Sequence, residues 1–231
     1  HVPVHITGEL SPIPYLGIPV IEDACQALGA VKNPTTAAQC WSFYPAKILG
    51  AKADAGAITT NNYSVYEYAK EARNHFKSDN RDFGGNHRMD NLQAALLNIK
   101  IQHIDEILAR RKEIAEMYLV RLEGVGLPNN QEGRVWQDFI IKAPNRFKGQ
   151  LIEVDWKGST EDSLNRDQMY DFLKEQDIET MKNEYPFSLA YPKLPLAAKY
   201  EAETLRLPCN ENLTDEEVNY VIQKVNEFGI N

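Results

Sequence analysis

The chain opens on short β-branched runs. Residues 2–7 ("VPVHIT") and 18–22 ("IPVIE") predict two strands, the second ending at acidic Asp23. Residues 55–60 ("AGAITT") predict a third, closed by the turn pair Asn61-Asn62. A helical stretch over about 64–76 follows, then the polar loop "KSDNRDFGGNHRMDN". From Leu92 through Leu96, Ile99, Ile104, Ile107, Leu108, Ile114, Tyr118 and Leu122 the apolar positions recur near the 3.6 period, predicting one long helix. Its end is set by "EGVGLP", where Gly124 and Gly126 stop the helix and Pro128 forbids its resumption. Beyond lie a predicted strand at 134–142 ("RVWQDFIIK"), a polar segment at 144–165, a helix at about 166–176 and extended pieces near 178–182 and 204–208. The last helix starts at Thr214, with Glu217 completing a capping box, and carries the stripe Val218, Val221, Ile222, Val225 and Phe228. The change of rhythm puts a boundary after 126, giving a large α/β part at 1–126 and a smaller α/β part at 127–231.

Composition narrows the function classes. With 43% hydrophobic and 25% charged residues the chain has ordinary globular composition. A net charge of −8 argues against a nucleic-acid groove or an anionic membrane surface as the main partner. The run Arg110-Arg111-Lys112 sits in a helical pattern and is expected on a solvated face. Cys25, Cys40 and Cys209 have neither metal-like spacing nor an even framework, so no metal site is expected and the thiols read as reduced, in a cytoplasmic protein. No apolar run approaches the roughly 20 residues of a membrane span. The opening "HVPVHITG" has no initiator methionine and no signal pattern, and already reads as core strand, so the chain is expected to begin inside a fold.

One stretch raises a chemical question. "CWSFYPAKILGAKADAGAITT" (residues 40–60) sets Lys47 among apolar and small neighbours. Either the ammonium snorkels out of a buried segment, or the amine is held in a pocket for covalent chemistry. Asp23 just past a strand is equally open: a cap or amide partner, or a site carboxylate. Ser42 suits a tight bend or a ligand hydroxyl, and Gln26 alone is uninformative. Asp90 or Asn91 suits a helix cap.

Taken together, these pieces resemble the DegT/DnrJ/StrS-type nucleotide-sugar aminotransferases, pyridoxal-phosphate enzymes of fold type I. The likeness runs from "VIEDACQALGA" through "SFYPAKILG" and "DAGAITT" to "EARNHFKSD", "GGNHRMDNLQAALLNIKIQHIDEILARRKEIAEMYLVRL" and "IETMKNEYPF". The resemblance implies a mostly parallel sheet in the large domain and a smaller C-terminal α/β domain. It implies that Lys47 holds pyridoxal phosphate covalently and then moves a proton between two carbons. Asp23 would face the pyridine nitrogen, Gln26 the ring's hydroxyl side, and Ser42 the phosphate. Asn86 of "GGNHRMDN" would reach a partner subunit's cofactor phosphate, and Arg88 would grip the amino donor's carboxylate. That arrangement implies a homodimer with shared active sites. Tyr185 would touch substrate from the small domain, and His87 is not expected in catalysis. The implied reaction moves an amino group from an amino acid, glutamate by expectation, to a nucleotide-linked keto-sugar for polysaccharide or glycosylated-metabolite synthesis.

Two rivals stay in view. Family dehydratases carry histidine in place of the lysine, and Lys47 speaks against them. A non-catalytic relative acting as a dimerising, regulatory module is the other. Departures from the family pattern keep it alive. The N-terminal portion that cradles the cofactor phosphate has no counterpart here, so the chain is expected to be the C-terminal two-thirds of an enzyme. "ELSPIPYLG" is too short for a crossover helix, "AVKNPTTAAQC" is short for the usual glycine-rich loop, and Ala53 replaces a glycine before Asp54.

Overall fold

The strand that the pattern did not announce is the middle one. In the computed structural model, which describes residues 1–13, 15–30, 35–78, 84–143, 146–147, 150–151, 161–183 and 195–230, β2 (Ala38–Ser42) lies between β1 (Ile21–Asp23) and β3 (Gly56–Thr59). β1 and β2 run parallel, with Ile21 opposite Ala38 and Asp23 opposite Cys40. β2 and β3 run antiparallel, with Gln39 opposite Thr59 and Ser42 opposite Gly56. β2 reads "AQCWS", with no β-branched residue, and polar groups help secure it. Gln39 is 2% exposed and donates through Nε2 to Glu22 Oε1 at 3.2 Å, while Trp41 Nε1 donates to Thr59 Oγ1 at 2.8 Å.

Glu22 is the hub of this corner. Buried on β1, it also receives the Thr36 hydroxyl and meets His5 Nε2 at 2.7 Å. His5 Nδ1 accepts the Ser11 amide at 3.0 Å, which leaves the ring proton on Nε2, aimed at the carboxylate. Burial alone would raise the Glu22 pKa, but the bonds from Thr36, His5 and Gln39 together outweigh it and hold the carboxyl below its ordinary value. Because the folded value is the lower one, the linked stability is full above the ordinary carboxylate range. It is lost as pH falls through the folded value. Glu22→Gln should therefore lower stability at neutral pH by about 1–3 kcal/mol and flatten its acid dependence. Thermal midpoints of both proteins from pH 7 down into the acid range would check this; parallel curves would refute it.

The opening run pairs with β1 but does not continue as a strand. His5 N–H donates to Asp23 O at 3.0 Å and Asp23 N–H to Pro3 O at 2.9 Å, a parallel bridge centred on Val4 and Asp23. A 3₁₀ turn at Ile6–Gly8 then ends it, with Thr7 at φ 58° and Gly8 at φ +88°. A Cβ on Gly8 would overlap the Val135 carbonyl, whose own amide donates to Gly8 O at 3.1 Å. The described part of the connection to β1 contains no helix, as its length and prolines predict.

Contacts divide the chain into two compact units: His1–Lys112 with Asn130–Gln137, and Glu113–Asn129 with Asp138–Asn231. The first holds the β1–β2–β3 sheet, α1 (Tyr63–Ala72), α2 (Asn91–Lys100) and the start of α3 (Ile104–Arg121). Asn62 caps α1, accepting the Ser64 and Val65 amides, and Asp90 caps α2 through the Leu92 amide. The single long helix expected from Leu92 is interrupted by a 3₁₀ turn at Ile101–His103. The α2 residues that are buried are Gln93 and Leu97, one turn apart, whereas Leu92, Leu96 and Ile99 stay exposed. Arg111 corrects the solvated-face expectation: it is 6% exposed, and Nη1 donates to the carbonyls of Trp136 and Gln137, each at 3.2 Å.

The second unit contains an antiparallel sheet with β8 (Thr204–Leu207) between β4 (Phe139–Lys142) and β7 (Met181–Lys182). Of the strand expected at 134–142, only these last four residues form it. A two-stranded ribbon, β5 (Arg146–Phe147) and β6 (Gln150–Leu151), precedes α4 (Glu161–Glu175); much of the polar 144–165 segment lies outside the described residues. Helices α5 (Pro195–Glu203) and α6 (Asp215–Ile230) complete the unit. Tyr118, Phe139, Ile141, Leu205, Val218 and Val225 are fully buried, and the Tyr118 and Phe139 rings lie 4.9 Å apart. The Thr214–Glu217 capping box forms in both directions, at 2.8 and 3.2 Å. No helix among the described residues is long and apolar enough to cross a membrane.

Candidate active site

Parallel pairing brings the carboxyl ends of β1 and β2 to one edge of the sheet, the edge where open α/β sheets receive ligands. Asp23 ends β1, and Ser42 ends β2 two residues beyond Asp23's partner Cys40. From Ser42 the chain folds into a tight loop. Its base is closed by Phe43 N–H donating to Ala55 O and Ala51 N–H to Phe43 O, both at 2.8 Å. Within it, Tyr44 N–H donates to Ser42 Oγ at 3.3 Å and Lys47 N–H to Tyr44 O at 2.8 Å.

Burial along the loop explains the lysine. Tyr44, Pro45 and Ala46 are exposed, Lys47 is half-buried, and Ile48 and Leu49 are 1% and 2% exposed. Ile48 packs with Ala24, Ala27, Ala30, Ile107 and Val135; Leu49 packs with Ala51 and Leu97. The apolar residues that follow Lys47 thus anchor the loop in the core while Lys47 stands at its rim. Two buried glutamines grip it further. Gln137 accepts the Ile48 amide at 3.1 Å and donates to Ala46 O at 2.9 Å, and Gln93 accepts the Lys52 amide at 2.8 Å. Neither was singled out in the sequence. A glutamine inside "RVWQDFII" is the only signal that the chain offered for Gln137.

Cys25 lies beside Asp23. Its amide donates to Asp23 Oδ1 at 3.1 Å. Burial first, then the Asp23 hydrogen bond and charge, push the thiol up to about 12, and the Lys47 ammonium acts in the opposite sense. Cys25 therefore stays a neutral thiol beside Asp23. Cys40 is raised as well, by burial and then by Asp23.

The other expected residues fall into two groups. Gln26, half-buried, accepts the Thr7 amide through Oε1 at 2.5 Å, and Ser42 Oγ accepts the Tyr44 amide while its hydroxyl donates to no acceptor among the described residues. Asn86 and Arg88 are exposed and bond each other, Arg88 Nε to Asn86 Oδ1 at 3.0 Å, with Arg88 Nη1 on Asn74 Oδ1 at 3.1 Å. Among the described residues no hydrogen bond or ion pair joins them to Lys47, Asp23, Ser42 or Gln26. Tyr185 lies outside the described residues. A cavity of about 660 Å³ lined by Trp41, Ile58, Tyr66, Arg73, His87 and others contains none of Lys47, Asp23, Ser42 and Gln26. The donor chemistry at the strand ends, not cavity size, marks the candidate site.

That donor set fits pyridoxal phosphate. An amine at the rim suits an aldehyde, a carboxylate at a strand end suits a protonated ring nitrogen, and a hydroxyl with a free proton suits a phosphate oxygen.

Comparison with known proteins agrees. The model described as the DegT/DnrJ/EryC1/StrS aminotransferase family matches residues 2–226. A pleiotropic regulatory protein of Geobacillus stearothermophilus is 34% identical over 260 residues, covering 98% of this chain and 64% of the relative. The dTDP-3-amino-3,6-dideoxy-alpha-D-galactopyranose transaminase of Aneurinibacillus thermoaerophilus is 33% identical over 231 residues, covering 91% and 58%. The crystal structure of S. venezuelae DesV superposes with a TM-score of 0.83 at 28% identity, covering 100% of this chain and 65% of that one. The chain thus spans less than two thirds of the length of each.

Proposed function

Since the chain belongs to the DegT/DnrJ/EryC1/StrS aminotransferase family, we propose that it serves pyridoxal-phosphate-dependent transfer of an amino group from an amino acid, glutamate in our reading, to a nucleotide-linked keto-sugar. The observation that carries this is the placement of Asp23 at the carboxyl end of β1 and of Lys47 on the tight loop that leaves the same end of the adjacent β2. When bound, pyridoxal phosphate supplies the aldehyde that takes up the amino group and a ring that delocalises the electron pair left on carbon. Lys47 would hold it covalently and, when freed by substrate, its amine would serve as the group that moves the proton. Asp23 would face the ring nitrogen and keep it protonated by its charge, and Gln26 would lie on the ring's hydroxyl side. Ser42 donates to the phosphate.

Asn86 completes a partner subunit's phosphate site and Arg88 grips the donor carboxylate in a two-point fork. The exposed Leu92, Leu96 and Ile99 on α2 support a homodimer. Tyr185 would touch substrate, and in this reading 1–126 belongs to the cofactor domain and 127–231 to the smaller α/β domain. The work is cytoplasmic amino-sugar synthesis for polysaccharides.

A second reading, a dimerising regulatory module without catalysis, draws support from the regulatory name of the Geobacillus relative. One experiment separates them. The purified chain mixed with pyridoxal phosphate should develop a visible absorbance band that glutamate bleaches, with 2-oxoglutarate released. A chain that develops no band favours the regulatory module.

A further inference from the structure

We propose that Gln137 is a positioning residue for Lys47, its buried amide clamping the backbone on both sides of the lysine. The inference rests on Lys47 being the cofactor-bearing residue. Gln137 is 7% exposed, and both ends of its amide are committed: the oxygen to the Ile48 N–H, the NH₂ to the Ala46 carbonyl. Those two groups belong to the residues immediately before and after Lys47. The orientation of the amide follows from its partners, since a backbone N–H can face only the oxygen and a carbonyl only the NH₂. Gln137 is itself fixed, because Arg111 Nη1 donates to its carbonyl and to that of Trp136.

Burial by itself would favour an apolar side chain here. A buried amide is tolerated only where each end finds a partner, and this one finds both within three residues of chain. Among the described residues Lys47 contributes a single backbone bond of its own, to Tyr44 O. Its Cα is therefore located by the bonds of its neighbours. A covalent amine depends on such location, since small displacements of a reacting group reduce rates by large factors.

The test uses the full chain and two readouts. First, hydrogen exchange of the wild type should show the Ile48 amide protected; exchange at the rate of an open chain would overturn the clamp. Second, limiting pyridoxal phosphate followed by borohydride, with peptide mass spectrometry, gives the capture at Lys47 relative to exposed Lys52. In Gln137→Met, folded by circular dichroism, that ratio should fall about tenfold or more. An unchanged ratio would overturn the inference. Should the Met variant not fold, Gln137→Glu carries the same test, keeping the volume and the acceptor for Ile48 while setting a carboxylate against the Ala46 carbonyl. If wild-type Lys47 shows no preference over Lys52, the assignment of Lys47 itself fails, and the Ile48 amide still reports separately on the clamp.

Discussion

Lys47→Ala abolishes site-specific capture of pyridoxal phosphate and leaves the fold standing. The two halves of this expectation come from different parts of the loop. Anchorage belongs to Ile48 and Leu49, which are inside the core, and to the backbone bonds at Phe43, Lys47 and Ala51. Alanine preserves every one of these. The lysine side chain is half-buried at the rim, and no hydrogen bond or ion pair from it occurs among the described residues. Its removal should therefore shift stability by no more than about 0.5 kcal/mol, as for substitutions away from the core. Capture, in contrast, requires a nucleophilic amine at this position. In the variant it should fall to the background shown by exposed lysines such as Lys52 and Lys70. Lys47→Arg sharpens the point, because it retains the charge but offers no primary amine to condense with an aldehyde. Mass spectrometry of borohydride-treated protein, beside a thermal melt, measures both halves. Equal capture in the wild type and the alanine variant would assign Lys47 to snorkelling alone.

How far the sequence disclosed this arrangement depends on what each element uses for stability. The helix caps at Asp90 and at the Thr214–Glu217 pair were legible, because they act locally. β3 and the core of β1 were legible from their β-branched residues. β2 was not, since its pairing is written in residues far along the chain: Gln39 with Glu22, Trp41 with Thr59. Arg111 misled for a related reason. Nothing within its own helix distinguishes it from Lys112, and only the carbonyls of Trp136 and Gln137 draw it inward. For the site, residue types and order pointed to Lys47, Asp23 and Ser42, and the parallel register supplied what spacing alone lacks, a common sheet edge. Gln137 was invisible because a glutamine in a strand-like run looks like its solvent-facing member.

Gly50→Ala is the second large effect, and it tests the loop rather than the lysine. An added Cβ would overlap the Pro45 carbonyl oxygen, lie 2.8 Å from its carbon and 3.1 Å from Lys47 O. All three are backbone atoms, so no rotamer change relieves the overlap; the chain from Pro45 to Lys47 must move. Overpacking of this kind costs about 1–3 kcal/mol. The movement falls between Tyr44 O, which Lys47 bonds, and Ala46 O, which Gln137 bonds, so both restraints on the lysine are disturbed together. Capture at Lys47 should drop roughly a hundredfold, the scale expected for an ångström-sized misplacement of a reacting group. Capture at Lys52, which is exposed and lies beyond the glycine, should change little. That contrast separates a displaced lysine from a globally loosened protein, in which the labelling of all lysines would rise together. A Gly50→Ala protein that melts normally and labels Lys47 normally would mean that the loop yields without consequence, and the geometric reading of the site would fall with it.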